Sequence, residues 1–280
     1  MKRILCTLLA LALCLLLFAC GKQADAPAEP ATQPATEAPT AAPTEAPTEP
    51  PTEAPTQPQP VELDTAVTEA AFTDGAENPV LSLTVSLPSC EGLPIIDDYY
   101  RALYTDLYAI YELNALDAAQ RRAEFVADGF DFNPWTVEMS SDILRNDGVT
   151  LSVLREVYEN TGGMHPLITY QAETFDVASQ GRLLLGNLFT VAEEAYLPRL
   201  RDMLLTQMDR REAEEDILYY DFAREQLTDL LDPVDFALTE DSLLLFFDVY
   251  ALAPYAAGTQ QFYLPLADLA DILNPQYFAE

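Results

Sequence analysis

The chain of 280 residues carries 46 acidic and 14 basic side chains, a formal net charge of −32 at pH 7, and residues 61–280 hold −29 of it. That balance excludes charge-driven binding to nucleic acid or to anionic lipid. A single histidine, His165, removes most zinc-site and triad chemistry, while 49% hydrophobic and 10% aromatic residues supply enough apolar surface for a core.

Lys2 and Arg3 precede an apolar run from Ile4 to Ala19, the layout of an export signal and too short to span a bilayer comfortably. Leu17-Phe18-Ala19-Cys20-Gly21 resembles the lipobox of bacterial lipoproteins, with Phe18 bulkier than the usual occupant. The resemblance implies cleavage before Cys20 and diacylation of its sulfur. Two acyl chains give stable anchoring, so the expected location is the extracellular face of the cell membrane. On this reading Cys6 and Cys14 leave with the signal and Cys20 is consumed by lipid. Cys90 then stands alone, no intramolecular disulfide forms, and without basic neighbours Cys90 reads as a structural residue.

Residues 20–60 form a Pro/Thr/Glu tract in which Thr recurs every four residues from Thr36 to Thr56. Proline deletes donors and fixes φ, so the tract reads as an extended disordered tether. Fully extended, it would reach on the order of 120 Å.

Leu81, Leu83, Val85 and Leu87 alternate with polar residues, the period of a half-buried strand. Residues 95–127 carry Ile96, Tyr99, Tyr100, Leu103, Leu107, Ile110 and Tyr111 at helical spacing, with Gly129 beyond. Asn146-Asp147-Gly148 between strand-like runs 136–145 and 149–158 predicts a hairpin. A strand over 167–177 follows, then a turn at Ser179-Gln180-Gly181. Thr190 with Glu193 three residues on reads as a capping box opening a helix that buries Leu197, Leu200, Leu204 and Met208. A shorter helix over 221–231, strands 236–239, 242–250 and 261–264, and a short helix near 266–273 complete the chain. Strands and helices are grouped rather than alternating, which predicts an α+β fold. Its antiparallel sheets with packed helices form two intimately associated subdomains, 61–154 and 155–280.

Three segments carry a family resemblance. Residues 158–165, ending Thr161-Gly162-Gly163-Met164-His165, resemble the Gly-Gly-Ala-His motif that opens the carboxy-terminal domain of the RsiV-like family. Thr174-Phe175-Asp176-Val177 with Gly181 and Leu185 to Phe189 is similar to that domain's second signature. Phe236 to Leu238, the strand through Tyr250, and Ala253-Pro254-Tyr255-Ala256-Ala257-Gly258 before Leu264-Pro265-Leu266 are similar to its third. The resemblance covers roughly residues 155–273, and more weakly 61–154. It implies an extracellular binding domain of Gram-positive-type bacteria. In the best-understood members it is part of an anti-sigma factor that captures lysozyme; in others it is fused to a peptidoglycan deacetylase. Only Met1-Lys2-Arg3 precedes the apolar run and no deacetylase motif follows, so the signalling and deacetylase roles are not expected here.

The expected function is therefore a lipid-anchored cell-surface binding protein whose partner is a basic protein such as lysozyme, attracted by the acidic domain. The alternatives are a cell-wall-acting hydrolase and a purely structural envelope lipoprotein. No catalytic residue, metal site or cofactor is expected. His165 lacks a histidine or thiolate partner, and no Gly-x-Ser-x-Gly elbow is present. The binding candidates are Gly162, Gly163 and His165, and Pro254, Tyr255 and Gly258. The two glycines suit a turn with positive φ, and the Pro-Tyr loop reads equally as a packed corner or an interface tip. Trp135, the only tryptophan, reads as a core plug or a surface anchor.

Overall fold

The computed structural model describes residues 58–231 and 234–278. The expected signal, the expected lipidation site Cys20 and the expected tether up to residue 57 lie outside the described residues. In chain order the elements are β1 (Asp64–Thr73), β2 (Pro79–Ser89), α1 (Pro94–Ala127), β3 (Trp135–Asn146), β4 (Thr150–Asn160), β5 (Leu167–Asp176) and β6 (Gly181–Arg182), followed by α2 (Glu193–Glu215), α3 (Asp221–Glu225), β7 (Phe236–Leu238), β8 (Ser242–Phe247) and β9 (Gln260–Pro265). The first six strands form one sheet in sequential order and β7-β8-β9 form a second. The class is α+β with two subdomains, as the grouping of elements predicts. Every strand pair is antiparallel except β2 with β3, which run parallel. The long helix α1 supplies the crossover that a parallel pair requires.

Period-2 alternation decides which way each strand faces. Leu151, Val153 and Val157 of β4 join Val85 and Met139 against Ile96, Tyr100, Tyr111, Ala115 and Ala118 of α1. On the opposite side of the same sheet, Leu154 and Ala172 meet Ala237, Leu244 and Phe246 of the second sheet. The other face of that second sheet, with Leu238, Leu243 and Leu245, packs on Leu200, Leu204 and Met208 of α2. The layers thus run α1, six-stranded sheet, three-stranded sheet, α2. Burying each such large apolar side chain contributes about 1.5–3 kcal/mol. Cys90 is fully buried in the α1 layer, and burial with the nearby Asp97 charge pushes its thiol up to about 11.

Most polar groups inside the layers are paired, the buried Tyr100 hydroxyl and Trp135 indole nitrogen being exceptions. Arg155 and Glu173, both almost fully buried, form a two-pronged ion pair on the α1 side of the sheet. The Tyr99 hydroxyl donates to Glu173 Oε1 at 3.0 Å, tying helix to sheet. Burial, then the Glu173 charge, pushes the Tyr99 phenol up to about 12. Between the sheets, the Leu238 N–H donates to Ser152 Oγ at 2.8 Å, and Ser152 shares a 2.8 Å hydrogen bond with Thr174.

Several expectations are corrected. Thr190 is not an N-cap: its Oγ1 donates to the Ile272 carbonyl, and α2 starts at Glu193 behind Ala192 with no side-chain cap. The 221–231 segment is one α-turn followed by a separate 3-10 turn at Asp229–Leu231, and 266–273 is helical only as a 3-10 turn over Leu266–Leu269. Strand β4 runs unbroken through residues 154 and 155, where the sequence suggests an internal boundary.

The chain enters the domain at one pole. Asn146, at the β3–β4 turn, accepts from the Val61 N–H at 2.8 Å and donates to the Val61 carbonyl at 2.8 Å. Gly148 has φ +82°, and a Cβ there would sit 2.3 Å from the Gln59 carbonyl oxygen. The turn is thus pinned under the incoming chain, which only glycine allows.

Candidate binding surface

Strand β4 starts at that turn and, after 11 residues and about 35 Å, ends at the 161–166 loop. The Gly-Gly-Met-His loop therefore stands at the pole away from that turn and from residues 59–61. Its fold is local: Asn160 Oδ1 accepts from the Gly162 N–H at 3.1 Å and Gly162 adopts φ +76°. Gly163 does not adopt a positive φ, so only the first glycine of the pair meets the conformational need inferred from sequence. Met164 is 93% exposed, and His165 is exposed beside it.

The second candidate segment meets the first. Pro254 leads into a 3-10 turn, Tyr255–Ala257, closed by Gly258 at φ +68°. The His165 and Tyr255 rings stack with centroids 5.5 Å apart and planes 29° from parallel. The Tyr255 hydroxyl reaches past the histidine to the Pro166 carbonyl oxygen. Tyr250, 61% exposed and itself at φ +69°, lies 5.7 Å from Tyr255. Of the six binding candidates, the structure thus joins His165 with Tyr255 directly and places Gly162, Gly163, Pro254 and Gly258 in the two loops that hold them. The packed-corner and interface readings of the Pro-Tyr loop both apply, since Tyr255 is braced yet partly open.

Sequence reasoning missed Met164, Tyr250, Ile168 and Tyr170 as members of this surface. The last two, with Tyr255 and Thr259, line a shallow groove of about 310 Å³ next to the stacked pair. The even-numbered parity of β5 could have placed Ile168 and Tyr170 on one face; nothing in the sequence marks Tyr250. Burial first, then the hydrogen bond to Glu156, pushes the Tyr170 phenol up to about 12.

Trp135 is half-buried against the α1 layer beside Asp117 and Gln120, and its buried, unpartnered indole nitrogen lies 3.8 Å from where a Cβ on Gly162 would stand, under the first candidate loop. A larger cavity of about 470 Å³ opens between β6, α2 and the segment before β7, with Arg182 and Asp235 paired at 3.2 Å on its wall. Among the described residues no group of three or more His, Cys, Asp or Glu side chains is arranged to hold a metal ion, and no helix is long and apolar enough to cross a membrane.

Comparison with known proteins places this geometry. Among solved structures, a DUF3298 family protein from Pseudomonas aeruginosa PAO1 matches with a TM-score of 0.57 at 16% identity, covering 79% of this chain and 98% of that one. A DUF3298 family member from Bacteroides fragilis matches with a TM-score of 0.56 at 17% identity, covering 78% and 96%. These likenesses concern the fold. Immunogenic protein MPB64 of Mycobacterium bovis and immunogenic protein MPT64 of Mycobacterium tuberculosis are each 28% identical over 127 residues, 44% of this chain and 52% of theirs. The match thus spans about half the length of those relatives. Residues 186–267 match the model of a protein family of unknown function, DUF3298. The chain therefore carries a DUF3298 domain over residues 186–267, on a fold it shares with solved DUF3298 proteins.

Proposed function

We propose that the chain is a cell-surface binding protein, anchored by lipid on Cys20 and carrying an RsiV-like head that holds a basic protein of the lysozyme type. The observation that supports this reading is the union of two loops 89 residues apart in sequence by the Tyr255–Pro166 hydrogen bond. It offers Met164, His165, Tyr250 and Tyr255 together at the pole remote from the β3–β4 turn. Such a cluster has the makeup of an interface anchor: rigid aromatics that lose little entropy on binding, with an adaptable methionine beside them. The −29 charge of residues 61–280 would steer a basic partner toward the head and speed encounter more than it deepens affinity. In this reading the head holds its partner and does not transform it.

The test is binding of the purified protein to a basic lysozyme, measured by interferometry at low and moderate salt. Association at both, with a faster on-rate at low salt, is the expected result. No association at either salt removes the lysozyme assignment.

A further inference from the structure

We propose that the uncovered half of the six-stranded sheet is a docking face for a cationic polypeptide surface, one rich in Lys and Arg. The second sheet covers the part of this face that carries Leu154, Ala172 and Tyr170, whose ring meets Phe246 edge-on at 6.3 Å between centroids. Beyond it the register aligns side chains in rows. Glu69 stands opposite Thr84, Thr84 beside Glu138, Glu138 opposite Tyr158, and Tyr158 opposite Ile168. In the next row Ser140 faces Glu156 and Glu156 faces Tyr170, whose hydroxyl donates to Glu156 at 2.7 Å. Asp142 follows at the margin of the covered part, and its charge disfavours ionisation of the Tyr170 phenol.

Glu69, Glu138 and Asp142 are exposed, and none of them makes an ion pair among the described residues. No Lys or Arg occupies a position on this uncovered face, from Thr65 to Ala71 on β1 through Tyr158 on β4 to Ile168 on β5. Strand spacing sets these groups about 5–10 Å apart on a surface about 20 Å wide. Lys and Arg heads could each reach a carboxylate or a hydroxyl there, with their apolar stems along Tyr158 and Ile168 and their charges near the Tyr158 ring. A second copy of this chain would bring like charges opposite one another, which disfavours it as the occupant. The face adjoins the loop surface through Ile168 and Tyr170 but does not need it, so it stands apart from the reading above.

The test titrates oligolysine into the purified protein and into two variants with equal changes of net charge. One is Glu69→Gln, Glu138→Gln, Asp142→Asn on the sheet; the control is Asp106→Asn, Glu112→Gln, Asp117→Asn on α1. We expect the sheet variant to weaken binding by about tenfold or more beyond the control, a difference of about 1.4 kcal/mol. A smaller difference, or no oligolysine binding by the unmodified protein, overturns the proposal. Tyr255→Ala, measured in parallel with lysozyme, reads the loop surface separately, so either reading can fail without the other.

Discussion

Tyr255 and Pro166 are joined by a 2.7 Å hydrogen bond from the phenol to the main-chain carbonyl, and the His165 ring lies against the same tyrosine. One side chain therefore braces a glycine-rich loop of the first sheet with a loop of the second. Tyr255→Phe removes the bond and keeps the ring, so stability should fall by no more than about 1 kcal/mol. Tyr255→Ala removes both, and lysozyme binding should weaken by about tenfold or more, as for a central aromatic anchor. Melting temperatures and dissociation constants of the two variants check this together.

The Arg155–Glu173 pair is sealed between α1 and the sheet. Removing one partner leaves a buried, unpaired charge, so Glu173→Ala should cost about 3–5 kcal/mol in chemical denaturation. Replacing both, as Arg155→Met with Glu173→Leu, removes the stranded charge and should recover most of that loss.

Asp147 sits in the β3–β4 turn, accepting from the Thr150 N–H at 2.7 Å, the Val149 N–H at 2.9 Å and Arg145 Nε at 2.7 Å. Burial alone would raise its pKa, but these donors outweigh it and hold the carboxyl below its ordinary 3.8. A carboxyl depressed in the folded state contributes stability that is present above its unfolded value and lost as the pH falls through the folded one. Asp147→Asn should therefore destabilise the protein at pH 7. The gap to the unmodified protein should narrow as the pH drops below 3.8, as read by denaturant midpoints across that range.

At Gly148 the positive φ and the contact with Gln59 act together. Gly148→Ala should cost roughly 1–3 kcal/mol from the left-handed backbone and the clash. It should also free residues 58–61 from the turn, seen as faster amide exchange at Val61.

Much of this architecture was legible in the sequence because one face of each element is apolar. The alternation of Leu81 to Leu87, the helical stripe from Ile96 to Tyr111 and the Asp147-Gly148 turn each announce their element. Strand β1 was not legible: its run of Ala, Thr and Glu is almost wholly exposed, so no apolar face sets a period. The parallel pairing of β2 with β3 depends on a crossover by α1, which no local signal records. Thr190-x-x-Glu193 carries the letters of a capping box, but its hydroxyl is drawn to Ile272, a partner 82 residues away. For the candidate surface, the motif resemblance named residues of both loops, whereas their meeting through Tyr255 and Pro166 is a product of tertiary packing alone.

The account rests on the two loops acting as one binding surface, and hydrogen exchange of the purified protein with and without lysozyme tests that most directly. Slowed exchange confined to residues 160–170 and 250–263 is the expected footprint. Protection centred on other segments, or no change at saturating lysozyme, would contradict it.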